Sequence, residues 1–285
     1  MSAKQLKGIA LSKLETIRNA LRELLAQHRQ EDTLPTSARF LFYELVTLRV
    51  ISKEKTGQRR PDQLMIDALT DLRESGEIQW NWITDETRSL EDYAGSATIT
   101  DGVLSGLAYI ELDPWDGDVP LILCESRSLV GCLRSVTSQY GVRSASTNGQ
   151  CCGFWHTRIV PILQPGQRVL YLGDFDLCGN DIEANTRSVL EREVGELAWE
   201  RLALTEEQVD RYDLPRIIKT DRRFKNGGGT HEAVETEALS QRIIVDLLRE
   251  RLGQLLPEPL ESVHERAEQE RSRIRRLIEV GEARQ

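Results

Sequence analysis

Short apolar runs alternate with helical patterns through the second half of the chain, and this alternation restricts the fold more than any other feature. Apolar runs at 119–124 and 167–172 each lead directly into acidic residues, and a helical pattern follows each of them. Further strand patterns occur at 142–146 and 198–204. Strands that alternate with helices are typical of a parallel sheet covered by helices. The sequence therefore predicts an α/β fold with a doubly wound, Rossmann-like, mostly parallel sheet.

The N-terminal part has helical periodicity. Apolar side chains recur every three or four positions over 3–29, which predicts an amphipathic helix. Proline and glycine delimit two further helices, at 36–50 and 61–75, and 77–84 alternates like a strand. Helix, basic loop, helix and strand in this order are typical of a winged helix-turn-helix, whose third helix would read DNA. Helix-turn-helix cores are also protein-interaction modules, so this pattern leaves both roles open.

These patterns divide the chain into five predicted segments. A chain of 285 residues is expected to hold roughly two domains, at about 100–200 residues each. The edge strand of the linker is predicted from the sequence LAYIEL at 107–112. The segments are an N-terminal helix (1–30), a winged helix-turn-helix domain (31–90), a linker with an edge strand (91–118), the sheet domain (119–250) and a charged helical tail (251–285).

Composition excludes several classes of protein. The longest apolar runs fall far short of the ~18 residues that a membrane span needs, and the charged, helix-periodic N-terminus is unlike a signal peptide. We therefore expect a cytoplasmic protein with no membrane partner. The chain has five cysteines and no C-x-x-C pair, which argues against a disulfide framework and against a structural zinc site.

The charge of the chain is acidic overall but unevenly distributed. Its 37 basic and 46 acidic residues give a net charge of −9, which argues weakly against nucleic acid. The stretches 49–60 and 216–225 run the other way, each with five basic residues and one acid. Basic side chains of this kind bind phosphates without choosing a sequence. The predicted DNA contacts are Arg59, Arg60, Arg127, Lys219, Arg222 and Arg223.

Three carboxylates follow predicted strands of the sheet. Glu125 ends one strand, and Asp174 and Asp176 end another within GDFDLCGND. Alternation along a strand puts the two aspartates on the same side, and ligands of parallel sheets bind beyond the carboxyl ends of the strands. Carboxylate oxygens suit Mg²⁺, or Mn²⁺ in its place, bridged to a phosphate. The alternative is that an aspartate only caps the following helix.

A glutamate at the end of one strand and a D-x-D at the end of a later strand resemble the Toprim domain of topoisomerases, primases and related nucleases. Upstream, PTSARFLFYELVTL is similar to the helix that carries the catalytic tyrosine in topoisomerase VI A subunits and the meiotic double-strand-break transesterases. That family has an arginine followed by paired aromatics, matched here by Arg39, Phe42 and Tyr43. The likeness spans roughly 30–245 and is strongest to small bacterial and phage winged-helix–Toprim proteins, distantly including the Wadjet nuclease subunit.

The resemblance implies specific roles. Asp174 and Asp176 would hold Mg²⁺, and Glu125 would be a metal ligand or an acid/base. Glu235 would be either a further ligand or only an exposed residue of a loop or helix N-terminus. Tyr43 would be the nucleophile, with Arg39 beside it, and in a homodimer the partner's metal site would activate the phenol in trans. The substrate would be double-stranded DNA, at the nucleoid. Strand passage would need a separate ATPase partner, whereas cleavage alone would not.

The sequence leaves three interpretations of the function open. If Tyr43 is structural, the metal site would hydrolyse DNA with water. Ser126 and Leu177 stand where many relatives have lysine and proline, so a DNA-binding or recruiting subunit with a weakened site is the main alternative. A phosphatase-like hydrolase with Asp174 as nucleophile fits less well, because those enzymes place their D-x-D after the first strand of the domain.

Overall fold

The structure of the chain is a computed structural model that describes residues 12–53, 60–85, 94–149, 153–220 and 229–282. These ranges contain nine α-helices and six strands. The helices are Lys13–Gln30 (α1), Ala38–Thr47 (α2), Gln63–Glu74 (α3), Ile99–Leu107 (α4), Arg127–Gln139 (α5), Leu177–Val194 (α6), Glu206–Arg211 (α7), Gln241–Leu255 (α8) and Leu260–Glu282 (α9). The strands are Leu121–Cys124 (β1), Arg143–Ser146 (β2), Arg168–Leu172 (β3), Ala198–Ala203 (β4), Ile217–Thr220 (β5) and Thr230–Ala233 (β6).

Strands β1 to β4 form one parallel sheet in the order β2-β1-β3-β4, with helices between them in the chain. This arrangement is Rossmann-like and confirms the predicted α/β fold with a parallel sheet. Strand β1 pairs with β3 so that Cys124 lies opposite Leu172. Since these are the last residues of both strands, the segments that follow them begin at the same level of the sheet edge. A separate antiparallel hairpin is formed by β5 and β6.

The two faces of the sheet are buried in separate clusters. All four residues of β1 and the last four of β3 are buried, as expected for central parallel strands covered on both sides. Alternate residues point to opposite faces. Ile122 and Leu170 pack with residues of α5 and α8, whereas Leu121 and Val169 pack with Trp155 and other residues of the opposite face.

The N-terminal helices form a third cluster of their own. Ile17, Leu21 and Leu25 repeat at the spacing of one helix face and pack against residues of α2 and α3. The second helix is shorter than the predicted 36–50: its N-cap is Ser37, whose hydroxyl oxygen accepts from the amide of Phe40. Helix α2 also packs against the 3₁₀ turn Thr236–Ala238, so it lies close to the carboxyl edge of the parallel sheet.

Two strand predictions were wrong. The segment 77–84 contains the 3₁₀ turn Trp80–Trp82 and only a single bridge, between Thr36 and Ile83. The described linker, 94–118, contains α4 and no strand at 107–112. There the carbonyl of Ile110 accepts from a side chain of α9 rather than from a neighbouring strand. Alternating side chains permit a strand, but a strand forms only where another backbone is available to pair with it.

The C-terminal part is helical, as predicted. Helix α8 ends at Leu255 and α9 begins at Leu260, so the break falls at the prolines 257 and 259. The segment before β3 is also helical, with one π turn at Trp155–Ile159 followed by a 3₁₀ turn. Among the described helices, none has the length and apolar character to cross a membrane.

Candidate active site

Glu125 and Asp174 meet at the carboxyl edge of the parallel sheet. Glu125 is the first residue after β1, and its amide donates to the carbonyl of Leu172 at 2.8 Å. The amide of Asp174, two residues after β3, donates to Oε2 of Glu125 at 2.9 Å. The register of β1 and β3 therefore brings together two acidic residues that are 49 positions apart in the chain.

The side chain of Asp174 is held by the segment that follows β6. Its Oδ1 accepts two hydrogen bonds from Thr236, one from the amide and one from the hydroxyl, both at 2.9 Å. A short antiparallel bridge between Phe175 and Val234 aligns the two segments. The sequence analysis missed Thr236 because no motif marks a threonine 62 positions away as a partner of the aspartate.

Asp176 has two roles at once. Its Oδ1 accepts from the amide of Gly179 at 2.7 Å and so caps α6, which is the alternative that the sequence left open. Its Oδ2 accepts from Nζ of Lys219 at 2.7 Å. Burial acts to raise the pKa of Asp176, but the hydrogen bonds from Lys219 and Gly179 outweigh burial, so the pKa lies below its usual value. Asp176 is therefore ionised at neutral pH, and Lys219 balances its negative charge.

The pKa of Glu125 is shifted in the opposite direction from that of Asp176. Burial, followed by the negative charges of Asp174 and Asp176, raises the pKa of Glu125 to about 7, and the amide of Asp174 offsets this only in part. A glutamate with such a pKa is a proton carrier near neutral pH. Glu125 thus interacts through space with both aspartates, even though Asp176 is neutralised by its lysine.

Two glycines allow this close approach. A Cβ at Gly179 would overlap the carbonyl oxygen of Asp174 and would lie 3.1 Å from Oε2 of Glu125. A Cβ at Gly173 would lie 2.5 Å from the ring of Tyr171. The first turn of α6 can therefore pack against the acidic residues only because Gly179 has no side chain, and Gly173 leaves room for the Tyr171 ring.

Arg201 of β4 holds the backbone of the D-x-D segment. Its guanidinium donates to the carbonyl of Asp174 at 2.6 Å and to that of Gly173 at 3.1 Å. The same guanidinium pairs with Glu183 of α6 and stacks over the ring of Tyr171, 5.6 Å from its centroid. Arg201 was not among the predicted site residues either. Its place in an adjacent strand was predictable, but its reach across the sheet edge was not.

A second group of charges links helix α2 to this edge. Arg39 donates to Oε2 of Glu235 at 3.2 Å, and its Nε lies 3.2 Å from Oε1 of Glu237. Glu237 is 1% exposed, and its Oε1 also accepts from Ser126 at 2.8 Å. Burial raises the pKa of Glu237, and the charge of Arg39 counteracts this. Ser126 thus caps α5 and binds a buried carboxyl group.

Tyr43 lies on α2 one turn beyond Arg39 and faces the same region. It is 7% exposed, and its ring packs edge-on against Phe42 at 5.5 Å between centroids. The ammonium of Lys53 lies 4.0 Å from the centroid of the Tyr43 ring. Tyr43, Lys53 and Glu235 line one pocket, so the aromatic ring and the acidic edge are neighbours within a single chain.

The remaining predicted DNA contacts fall into three groups. Lys219 lies in the site, bound to Asp176 and 3.8 Å from Oε1 of Glu235. Arg60 and Arg127 are exposed, and Arg60 pairs with Asp62 at 3.4 Å. The other predicted contacts lie outside the described residues: Arg59, Arg222 and Arg223.

The donor atoms at this edge suit a divalent cation that has other ligands as well. Within the described ranges, no group of three His, Cys, Asp or Glu side chains is arranged to hold a metal ion by itself. Mg²⁺ is commonly held by one or two carboxylates, with water and substrate phosphate completing its coordination. Besides its burial, Glu125 has its pKa raised by the charges of Asp174 and Asp176, a repulsion that a divalent cation would relieve. The residues present therefore fit Mg²⁺ bound together with a phosphate.

Comparison of the chain with models of protein families, with curated proteins and with solved structures gives no match.

Proposed function

We propose that this protein cleaves DNA in a Mg²⁺-dependent reaction at the acidic edge of its parallel sheet. The observation that carries the proposal is the hydrogen bond of 2.9 Å between the Asp174 amide and Glu125 Oε2, with Asp176 in the same loop. Glu125 and Asp174 would hold the ion, with Asp176 completing the acidic group. When bound, Mg²⁺ supplies positive charge to the phosphate and to the oxygens that attack and leave. A DNA-binding role for the N-terminal helices, without the strand predicted at 77–84, and the Toprim assignment of the sheet domain are part of this proposal.

The side chains around the acidic edge have separate tasks in the proposed reaction. Lys219 and Arg39 provide positive charge toward a phosphate backbone. Glu125, with a pKa of about 7, takes up or releases a proton at neutral pH. Thr236 and Arg201 act as positioning residues, because they hold the carboxylate and the backbone of Asp174.

The bond-breaking nucleophile is either the phenol of Tyr43 or water. A phenol has a pKa near 10 and needs activation to attack at neutral pH. Tyr43 lines a pocket together with Glu235 of its own chain, which favours a short path between the ring and the acidic edge. Activation by a second copy in a homodimer is the other route that the family resemblance implies. A separate ATPase would be needed only for strand passage.

Cleavage of supercoiled plasmid in Mg²⁺ or Mn²⁺ tests this function. Asp174→Asn should abolish cleavage, whereas Asp246→Asn, an exposed position on α8, should not. Tyr43→Phe is compared with Tyr109→Phe, whose ring is exposed. A transesterase would be identified by two results together: Tyr43→Phe loses cleavage, and the wild-type protein stays attached to a DNA end until protease digestion. Retained cleavage with free ends would identify hydrolysis. No cleavage by the wild-type protein with either metal would contradict the proposal.

A DNA-binding or recruiting subunit is the second candidate, and one observation favours it. Lys219 already neutralises Asp176, whose other oxygen caps α6, so this carboxylate has less capacity for a metal than a free one. This candidate predicts DNA binding that is unchanged in Asp174→Asn and insensitive to Mg²⁺. A rise in melting temperature with Mg²⁺ that Asp174→Asn removes would contradict it.

A further inference from the structure

A pocket of about 710 Å³ lies between α2, the beginning of α3 and the first residue of β5. One wall is apolar and includes Phe42, Met65 and Ile66. The charged lining consists of two cations, Arg39 and Lys53, and two carboxylates, Asp62 and Glu235. The volume is within the range of roughly 300–1,000 Å³ that is usual for sites of small ligands. The pocket thus combines an aromatic and aliphatic wall with charged side chains of both signs, next to the acidic edge.

Lys53 is the charge in this pocket that could receive an anion. Among the described residues, no carboxylate lies within 4 Å of the Lys53 ammonium, which instead lies against the ring of Tyr43. Ile217 lines the pocket, and Lys219 follows two residues later on the same side of β5. Burial and the positive charges of Lys219 and Arg39 lower the pKa of Lys53 to about 8, and the charge of Asp174 opposes this shift. Arg39 and Lys219 are already paired with Glu235 and Asp176, so Lys53 is the cation of this group that a phosphate would pair with, next to two further basic side chains.

We infer that this pocket receives one unpaired nucleotide of the DNA strand, with its phosphate at Arg39, Lys53 and Lys219 and its base against Phe42 and Ile66. Aromatic walls next to basic side chains are the elements that bind single-stranded nucleic acid. A base in a duplex can enter such a pocket only after it leaves the stack, which costs least for a base without a pairing partner. This inference rests on the proposed function and specifies its substrate as DNA with a distorted or unpaired position.

The test is a binding experiment in EDTA, so that it does not depend on cleavage. The probes are a fluorescent duplex and the same duplex with one bulged nucleotide, and the full chain is titrated against each. The variant Ile66→Trp fills the pocket, and Leu277→Trp, at an exposed position of α9, is its control. Lys53→Met removes the charge while keeping the length of the side chain, and Lys13→Met is its control at an exposed position of α1.

The wild-type protein should bind the bulged duplex about tenfold more tightly, since base stacking on aromatic side chains contributes about 1–3 kcal/mol per base. Ile66→Trp and Lys53→Met should each lose most of this preference, and both controls should keep it. Circular dichroism identifies a variant that fails to fold, in which case the other one decides. Equal binding of both duplexes would overturn the inference, as would a preference that survives in the folded pocket variants. Displacement of the bulged duplex by low concentrations of a free deoxynucleoside monophosphate would overturn the assignment to a DNA strand.

The nucleotide pocket and the proposed DNA cleavage can each fail without the other. Plasmid cleavage without any preference for the bulged duplex would refute the nucleotide pocket alone. A preference for the bulged duplex without cleavage in any metal would support the pocket and refute the nuclease.

Discussion

The backbone amide of Asp174 donates to the carboxylate of Glu125 at 2.9 Å, across the ends of two adjacent parallel strands. This bond makes the position of one acidic residue depend on that of the other. Burial, followed by the negative charges of Asp174 and Asp176, raises the pKa of Glu125 to about 7, and this hydrogen bond offsets the shift only in part. The protonation of Glu125 therefore depends on its contacts with Asp174.

Binding of Mg²⁺ should strengthen with pH over the range around 7. The metal needs the ionised form of Glu125, whose pKa is about 7, so the rise in melting temperature on adding Mg²⁺ should be larger at pH 8 than at pH 6. Differential scanning fluorimetry measures this. Glu125→Gln should remove the pH dependence, and Glu261→Gln on α9 should not. An equal rise at both pH values would contradict the assignment of Glu125 as a ligand.

Without metal, Glu125 should make the fold less stable as the pH rises. Its pKa is raised in the folded state, so the folded chain keeps a proton that the unfolded chain releases above a pH of about 4.5. The contribution of Glu125 to the free energy of unfolding should therefore fall between about pH 4.5 and pH 7. Urea unfolding of the wild type and of Glu125→Gln in EDTA measures it. The variant should gain relative to the wild type across this window, and a constant difference would contradict the raised pKa.

Gly179→Ala should destabilise the protein and reduce cleavage together. Its Cβ would overlap the carbonyl oxygen of Asp174, and overpacking of this kind costs about 1–3 kcal/mol. Gly253→Ala is the matched control, because Gly253 lies in α8 with no heavy atom within 4 Å of an added Cβ. That control should be stabilised by up to about 1 kcal/mol through helix propensity. Equal free energies of unfolding for the two variants would contradict the close contact at Gly179.

Arg201→Met should loosen the D-x-D segment. The substitution removes the donor to Glu183 Oε2 and to the carbonyl of Asp174, although Trp199 still donates to Glu183 Oε1, and hydrogen bonds to charged groups contribute about 1.5–3 kcal/mol. We expect a loss of about 2 kcal/mol in the free energy of unfolding and weaker Mg²⁺ binding. Arg187→Met, which breaks an exposed pair with Glu191 on α6, should change stability by less than about 0.5 kcal/mol. Unchanged Mg²⁺ binding in a folded Arg201→Met protein would exclude Arg201 as a positioning residue.

Lys219→Met should destabilise the protein at neutral pH but not in acid. Lys219 helps to hold the pKa of Asp176 below its usual value, and such a carboxylate contributes stability above the pKa of the unfolded chain, which is lost as the pH falls through the folded pKa. The difference from the wild type should be about 1–2 kcal/mol at pH 7 and should shrink below about pH 4. Lys13→Met is the control. A difference that does not depend on pH would show that the pair contributes little.

The local part of the site could be predicted from the sequence. Glu125 and Asp174 each follow a short run of apolar residues. Such a run can be recognised as a buried strand from its own residues and from those next to it in the sequence. Parallel strands between helices then bring their carboxyl ends to one edge. The same local reasoning failed at 77–84 and 107–112, because alternation does not reveal whether a partner strand is present.

The sequence by itself determined which residues form the sheet and which acids leave its carboxyl edge, since both depend on short-range periodicity. Only the tertiary structure decided what surrounds those acids. Arg39 binds Glu235 across 196 positions of the chain, and Thr236 binds Asp174 across 62. The position of Lys53 over the Tyr43 ring likewise depends on how a loop packs on α2. Such contacts are set by the packing of whole elements, and no local pattern of residue types encodes them.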